Sequence, residues 1–319
     1  MTATEDLSLG TVGRARRLRR LASADGIVAG MALDHRDSFR AVLERQGIAA
    51  RTTADLGTLK QALVRALAPA ATAVMLDSEL GWPALGDESI PGDVGLIMPL
   101  EAQGYEAQGD RRLTTLLEDF APYDALLVGA DACKLLLPYR IDDEPTAVRQ
   151  DALVAATVAA CHEAGLPLVL EPVVHRLSTE TEADHAAAYP MLVIGAVARL
   201  QPLGADVLKL PFPVRHPPAT PPAEAVAACR SLADACGVTP WVLLGGGAAP
   251  DLDELIDEIR MAGEAGASGF LAGRAIWGPA LRTDVAETAR LAVEIALPAF
   301  VRCRAMAAAT ARPLPSGPA

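Results

Sequence analysis

Ala205-Asp206-Val207-Leu208-Lys209-Leu210-Pro211 reads as a short buried strand with a lysine near its C-terminal end. Lysine is almost never fully buried unless it is paired or has a chemical task. The chain also avoids lysine elsewhere: of its 28 basic residues only Lys60, Lys134 and Lys209 are lysines, which leaves 25 arginines. Lys134 and Lys209 both sit inside apolar, strand-like runs. Surface charge does not account for that placement, whereas a Schiff-base nucleophile at Lys209 does.

Working outward, the same kind of run recurs. Strands are expected at 26–34, 71–77, 94–99, 130–137, 166–173, 205–210, 241–244 and 267–272. Helices are expected between them at 38–44, 55–68, 145–164, 182–200 with an interruption at Pro190, 223–236 and 251–265. A polar loop at 101–112 leads into a helix ending near Tyr123, and the chain beyond Arg274 reads as helix to about residue 309. Eight apolar strands alternating with helices is the count of a (β/α)8 TIM barrel. The near-continuous apolar runs suit strands covered on both faces. The chain thus divides into an N-terminal helical extension (1–25), one α/β barrel domain (26–310) and a Pro-rich tail (311–319) expected to be disordered.

Composition narrows the function. The 319 residues accommodate a barrel of roughly 250 residues plus extensions. A formal charge of −12 and a pI near 4.9 argue against nucleic acid as a partner. The five cysteines contain no C-x-x-C pair, which suits a reducing cytoplasm rather than a disulfide framework or zinc site. The start of the chain lacks the apolar core of a signal peptide, and the longest uncharged run, around 186–198, is too short for a membrane span.

In this barrel, chemistry belongs at the C-terminal ends of the strands. Asp34, Asp77, Lys134, Glu171, Lys209 and Arg274 all fall there. Strand period two puts Lys209 on the face of Val207, Glu171 with Val169, and Lys134 with Ala132 and Leu136. Two cations and one carboxylate then converge in an apolar mouth. An amine attacks a carbonyl only when it is neutral, and burial together with a second ammonium favours that form, so Lys134 is expected to activate Lys209. Glu171 is the candidate acid/base. A structural Lys–Glu pair with a spare lysine is the alternative reading of the same residues.

Gly245-Gly246-Gly247 after strand seven, and Gly273-Arg274 after strand eight, match the phosphate position of such barrels, where backbone N–H groups approach an anion. His35 and Arg36 follow strand one and either bind substrate or tie the loop to Asp37; His175 is a weaker candidate. No two histidines have metal-ligand spacing.

With those residues placed, the chain resembles the class I tagatose 1,6-bisphosphate aldolase family, which also includes sulfofructose-phosphate aldolases. The matching stretches are Ala32-Leu33-Asp34-His35-Arg36, Met75 through Pro83, Gly129 through Tyr139, Leu168-Val169-Leu170-Glu171, Ala205 through Lys209, and Ala265-Gly266-Ala267 with Ala272 through Trp277. They run in order from about residue 27 to 282, on the predicted strands. The resemblance implies reversible cleavage of a ketose 1-phosphate or 1,6-bisphosphate, tagatose-like or sulfofructose-like, to dihydroxyacetone phosphate and an aldehyde. It implies a lysine imine without metal or other cofactor, and a homo-oligomer; charge and the lack of a membrane span argue against nucleic acid or membrane as partners. Lys209 matches the Schiff-base lysine, Glu171 the acid/base, Lys134 the second active-site lysine and Asp34 an active-site aspartate. Asp77 falls among the substrate-binding positions. The chain departs from the family at His35, often Gln, and at Leu244-Gly245-Gly246-Gly247, often a Ser-containing turn. Two other readings remain: a phosphosugar isomerase or epimerase with Glu171 as sole base, and a non-catalytic sugar-phosphate sensor.

Overall fold

Val28–Leu33, Ala73–Leu76, Gly95–Pro99, Ala132–Tyr139, Leu168–Val174, Val207–Pro211, Trp241–Gly245 and Gly269–Ala272 are strands, here β1 to β8. They are buried along nearly their whole length, as the apolar runs demand. The computed structural model describes residues 8–45, 52–215, 219–245 and 251–315. All neighbouring strands are parallel, and the order β1-β8-β7-β6-β5-β4-β3-β2 closes on itself. This is the expected (β/α)8 barrel.

Alternation along the strands separates two apolar layers. Val28, Ala73, Met75, Ile97, Ala132, Val169, Val207, Val242 and Leu271 fill the lower interior, with Leu21 and Leu314 packed against them. The alternate residues face the surrounding helices in one continuous outer core. Burying each such Leu or Val stabilises the fold by about 1.5–3 kcal/mol. The plug therefore offsets the cost of the charged layer above it. Gly269 (φ +132°) closes β8 on β1; a Cβ there would lie 1.8 Å from the Val28 carbonyl oxygen, so only glycine fits.

The helix Leu9–Arg20 lies below this floor. Arg17 donates to the Ala130 carbonyl (3.0 Å) and Arg20 to Asp131 (2.6 Å), so part of the arginine run is fastened to the barrel. The tail departs from expectation over 311–315. Arg312 N donates to Ala267 O, Leu314 N to Gly26 O, and Leu314 is 6% exposed, because its side chain completes the apolar floor. Two other readings are corrected. Residues 106–108 and 111–113 pair as an antiparallel hairpin, and the next helix is Pro122–Leu127, entered at a proline and capped by Asp124. The helix Glu182–Leu200 passes through Pro190 without interruption. Residues 182–203 are long and apolar enough to cross a membrane by length and composition; here they pack on β5 and on the helix Pro222–Cys236.

Candidate active site

The inward parity that points Ala132, Val169 and Val207 into the plug points Lys134, Glu171 and Lys209 into the layer above it. Asp34 lies two residues beyond the inward Ala32 at the end of β1. Lys134 Nζ donates to Asp34 Oδ2 (2.9 Å) and Glu101 Oε1 (2.5 Å), and stands 3.2 Å from Glu171 Oε2. Lys209 Nζ donates to that same Glu171 oxygen at 3.0 Å. Both lysine side chains are 2–3% exposed.

Counter-charge divides the two lysines. A charge pair about 4 Å apart gains roughly 4 kcal/mol at an effective dielectric of 20. Desolvating one ammonium costs several kcal/mol. Burial therefore opposes the Lys134 charge, but Asp34, Glu101 and Glu171 together outweigh it and hold the ammonium well above the ordinary lysine range. Asp34 shows the converse: burial pushes its carboxyl up, yet Lys134, His35 and Lys209 hold it far below the usual carboxylate range. Among the described residues, the one carboxylate in contact with Lys209 is the Glu171 it shares with Lys134. Lys134 is thus the more heavily counter-charged of the two lysines.

Around this cluster, Asp34, His35, Arg36, Gly245, Gly273 and Arg274 line one cavity of about 640 Å³ with Lys134, Glu171 and Lys209. The His35 ring stands edge-on to Trp277 at 5.3 Å, and Trp277 Nε1 donates to the Ala32 carbonyl, which fixes both. Burial, helped by the charges of Arg274, Lys209 and Lys60, outweighs Asp34 and pushes the His35 imidazole down to about 3. The ring is then neutral through the physiological range. His35→Gln is expected to shift KM while leaving the shape of the pH–rate profile unchanged; a lost titration step in the variant would contradict this. Arg36 is buried and donates to the Glu101 carbonyl (3.0 Å). Arg274 Nε is buried without a partner among the described residues.

Two expectations come out differently, and a third lies outside the described residues. Asp77 does not line the cavity: it is fully buried, paired with Lys60, and accepts from Glu79 N and Leu80 N. The short turn after β2 rotates the carboxylate outward, and Lys60, which also donates to the His35 carbonyl, takes it. Lys60→Met leaves that carboxylate buried and unpaired, at an expected cost of about 3–5 kcal/mol. A urea titration measures this; a loss below about 1 kcal/mol would mean the pair is not structural. Gly246 and Gly247 lie outside the described residues. His175 does not reach the cluster; its Nε2 meets the Asp110 carbonyl at 3.0 Å, steadying the hairpin.

Glu101 was not anticipated. It falls in the stretch read as a polar loop, yet it continues the inward parity of Ile97 and Pro99. That parity was the available signal. Among the described residues no three His, Cys, Asp or Glu side chains are grouped to hold a metal ion.

Comparison with known proteins relates the chain to aldolases. The family described as DeoC/LacD family aldolase matches residues 29–278. Tagatose 1,6-diphosphate aldolase 2 of Enterococcus faecalis is 29% identical over 282 residues, covering 84% of this chain and 84% of the relative. Tagatose 1,6-diphosphate aldolase 1 of Streptococcus mutans is 26% identical over 280 residues, covering 83% and 85%. Among solved structures, the fructose-bisphosphate aldolase of Plasmodium falciparum is similar at a TM-score of 0.70 and 14% identity, over 95% of this chain and 96% of that one. An archaeal fructose-1,6-bisphosphate aldolase, with its catalytic lysine bound to a carbinolamine intermediate, gives 0.62 and 16%, over 90% and 99%. At those identities the likeness is one of fold.

Proposed function

The chain belongs to the DeoC/LacD family of aldolases, and from that premise we propose a class I enzyme that cleaves a ketose 1-phosphate or 1,6-bisphosphate through an imine on Lys209. The observation that carries this reading is the unequal sharing of carboxylates. Among the described residues Lys134 has three in ion-pair contact, and Lys209 has one.

The geometry supports the following steps. Lys209 passes a proton to Glu171 across their 3.0 Å contact, and the neutral amine adds to the substrate's C2 carbonyl, opening its π bond and forming a C–N bond and a carbinolamine. Glu171, as the acid, gives its proton to the departing hydroxyl, and water leaves an iminium. Glu171, now a carboxylate, takes the proton of the C4 hydroxyl as the C3–C4 bond breaks. The bonding pair moves into the iminium as an enamine, and the aldehyde departs. Protonation at C3 and hydrolysis release dihydroxyacetone phosphate and restore Lys209. Because the iminium accepts the electron pair, the sequence needs no metal or other cofactor. Asp34, held firmly as an anion, is a poor base but a good acceptor, and it orients the sugar hydroxyls. Lys134 keeps a positive charge beside the reacting carbons. Gly245, Gly273 and Arg274, with Gly246 and Gly247, hold the phosphate, and His35 and Arg36 meet the rest of the sugar. The five free, buried cysteines suit a reducing compartment such as the cytoplasm.

The test is borohydride reduction in the presence of dihydroxyacetone phosphate, followed by peptide mass mapping. A reduced adduct on Lys209 is expected. An adduct on Lys134 would exchange the two lysines' roles. With binding but no adduct the imine mechanism fails, and the isomerase or sensor reading takes its place.

A further inference from the structure

Glu101 has no part in the steps above, yet it makes the shortest contact to Lys134 in the cluster, 2.5 Å from Oε1 to Nζ. Its other oxygen accepts from Leu136 N at 3.1 Å, and its side chain is 8% exposed. Both oxygens are thus engaged by β4. Its backbone is fixed as well, because its carbonyl accepts from Arg36 and it bridges to Leu116. Among the groups around Lys134, Glu101 is the one held in place from several sides.

The other counter-charges of Lys134 change during turnover. Glu171 alternates between acid and carboxylate, and Asp34 turns to substrate hydroxyls. Whenever Glu171 is protonated, Lys134 loses one negative neighbour. We propose that Glu101 is a positioning residue that keeps Lys134 charged and in place through every step of the cleavage. It does so without touching the substrate. The inference rests on the aldolase reading and deepens it.

The charged groups around Lys134 bear on the test. Lys134 faces Asp34 from β1, Glu101 from the end of β3, Glu171 from β5 and Lys209 from β6, with His35, Arg36 and Arg274 farther out on the rim. Burial and the Asp34 charge push the Glu101 carboxyl above its usual range while Lys134 draws it back. The two charges therefore sustain each other. Glu101→Gln removes one charge and nearly preserves shape. Its amide satisfies either Lys134 or Leu136 N but not both, so a lower melting temperature is expected in addition.

Activity that needs the Lys134 ammonium is lost as pH rises through that group's titration. In the wild type the loss lies above the ordinary lysine range near 10.4. In Glu101→Gln the alkaline fall in kcat is expected to move down by about one pH unit or more, each unit being about 1.4 kcal/mol. The KM should change by less than about threefold, and dihydroxyacetone phosphate should still be trapped on Lys209. Glu101→Asp, which keeps the charge, should hold the fall near its wild-type position. The inference is overturned if the fall does not move in Glu101→Gln, if it moves as far in Glu101→Asp, or if Glu101→Gln loses the Lys209 adduct. A wild type that forms no adduct removes the aldolase reading itself, and this inference with it.

Discussion

Lys209→Ala is expected to lower kcat roughly a hundred thousand- to a million-fold, the scale on which removal of a covalent nucleophile acts. That is about 7–8 kcal/mol of barrier at 1.36 kcal/mol per factor of ten. No other amine stands in for it. Lys134 is held as an ammonium by three carboxylates, and Lys60 is closed into its pair with Asp77. The fold should survive, because Glu171 keeps Lys134 at 3.2 Å and is not left as an unpaired buried charge. The measurement is release of dihydroxyacetone phosphate in a coupled assay, with melting and circular dichroism as controls of folding. Activity within about a hundredfold of wild type in a folded variant would end the imine mechanism at this residue.

Lys134→Met, which keeps most of the side-chain volume and removes the charge, should have the second largest effect. Asp34, Glu101 and Glu171 are then packed around a neutral thioether, leaving Lys209 as the remaining cation in contact with the cluster. Uncompensated buried charge costs about 3–5 kcal/mol when one partner of a pair is removed. A lower melting temperature is therefore expected, partly relieved as one carboxylate takes up a proton. Catalysis suffers separately. The ammonium that the proposed mechanism sets beside Lys209 is gone, and turnover is expected to begin at a higher pH. The expected result is a fall in kcat of roughly a hundred- to a thousandfold at neutral pH, within the range attributed to a positioned catalytic group. That fall should be partly recovered as pH rises. A drop that is the same at every pH would mean that Lys134 only holds the barrel mouth together.

The placement of Lys134, Glu171 and Lys209 was legible because it rests on local rules. Short apolar runs give strands, and alternation along a strand says which neighbours share a face with Val169 or Val207. Alternation of strands with helices then leaves few closures other than a barrel. Scarcity did the rest: three lysines in 319 residues, two of them inside strands, leave little room for another nucleophile.

What the tertiary structure alone decided lies where the chain leaves a strand or meets a distant segment. Asp34 and Asp77 end similar apolar runs, but only Asp34 faces the mouth. Asp77 is turned away because its own carboxylate caps the N–H groups of Glu79 and Leu80 and meets Lys60 on the helix Thr53–Leu67. Glu101 reads as part of a polar loop, and its partner Lys134 lies 33 residues on, brought to it by the pairing of β3 with β4. Leu314 belongs to a Pro-rich tail, yet it lies in the barrel floor beside Leu21, because closing the barrel leaves an apolar opening that nearby side chains fill. Local periodicity says what each residue is able to face. The partners that compete for it once the barrel closes decide what it does face.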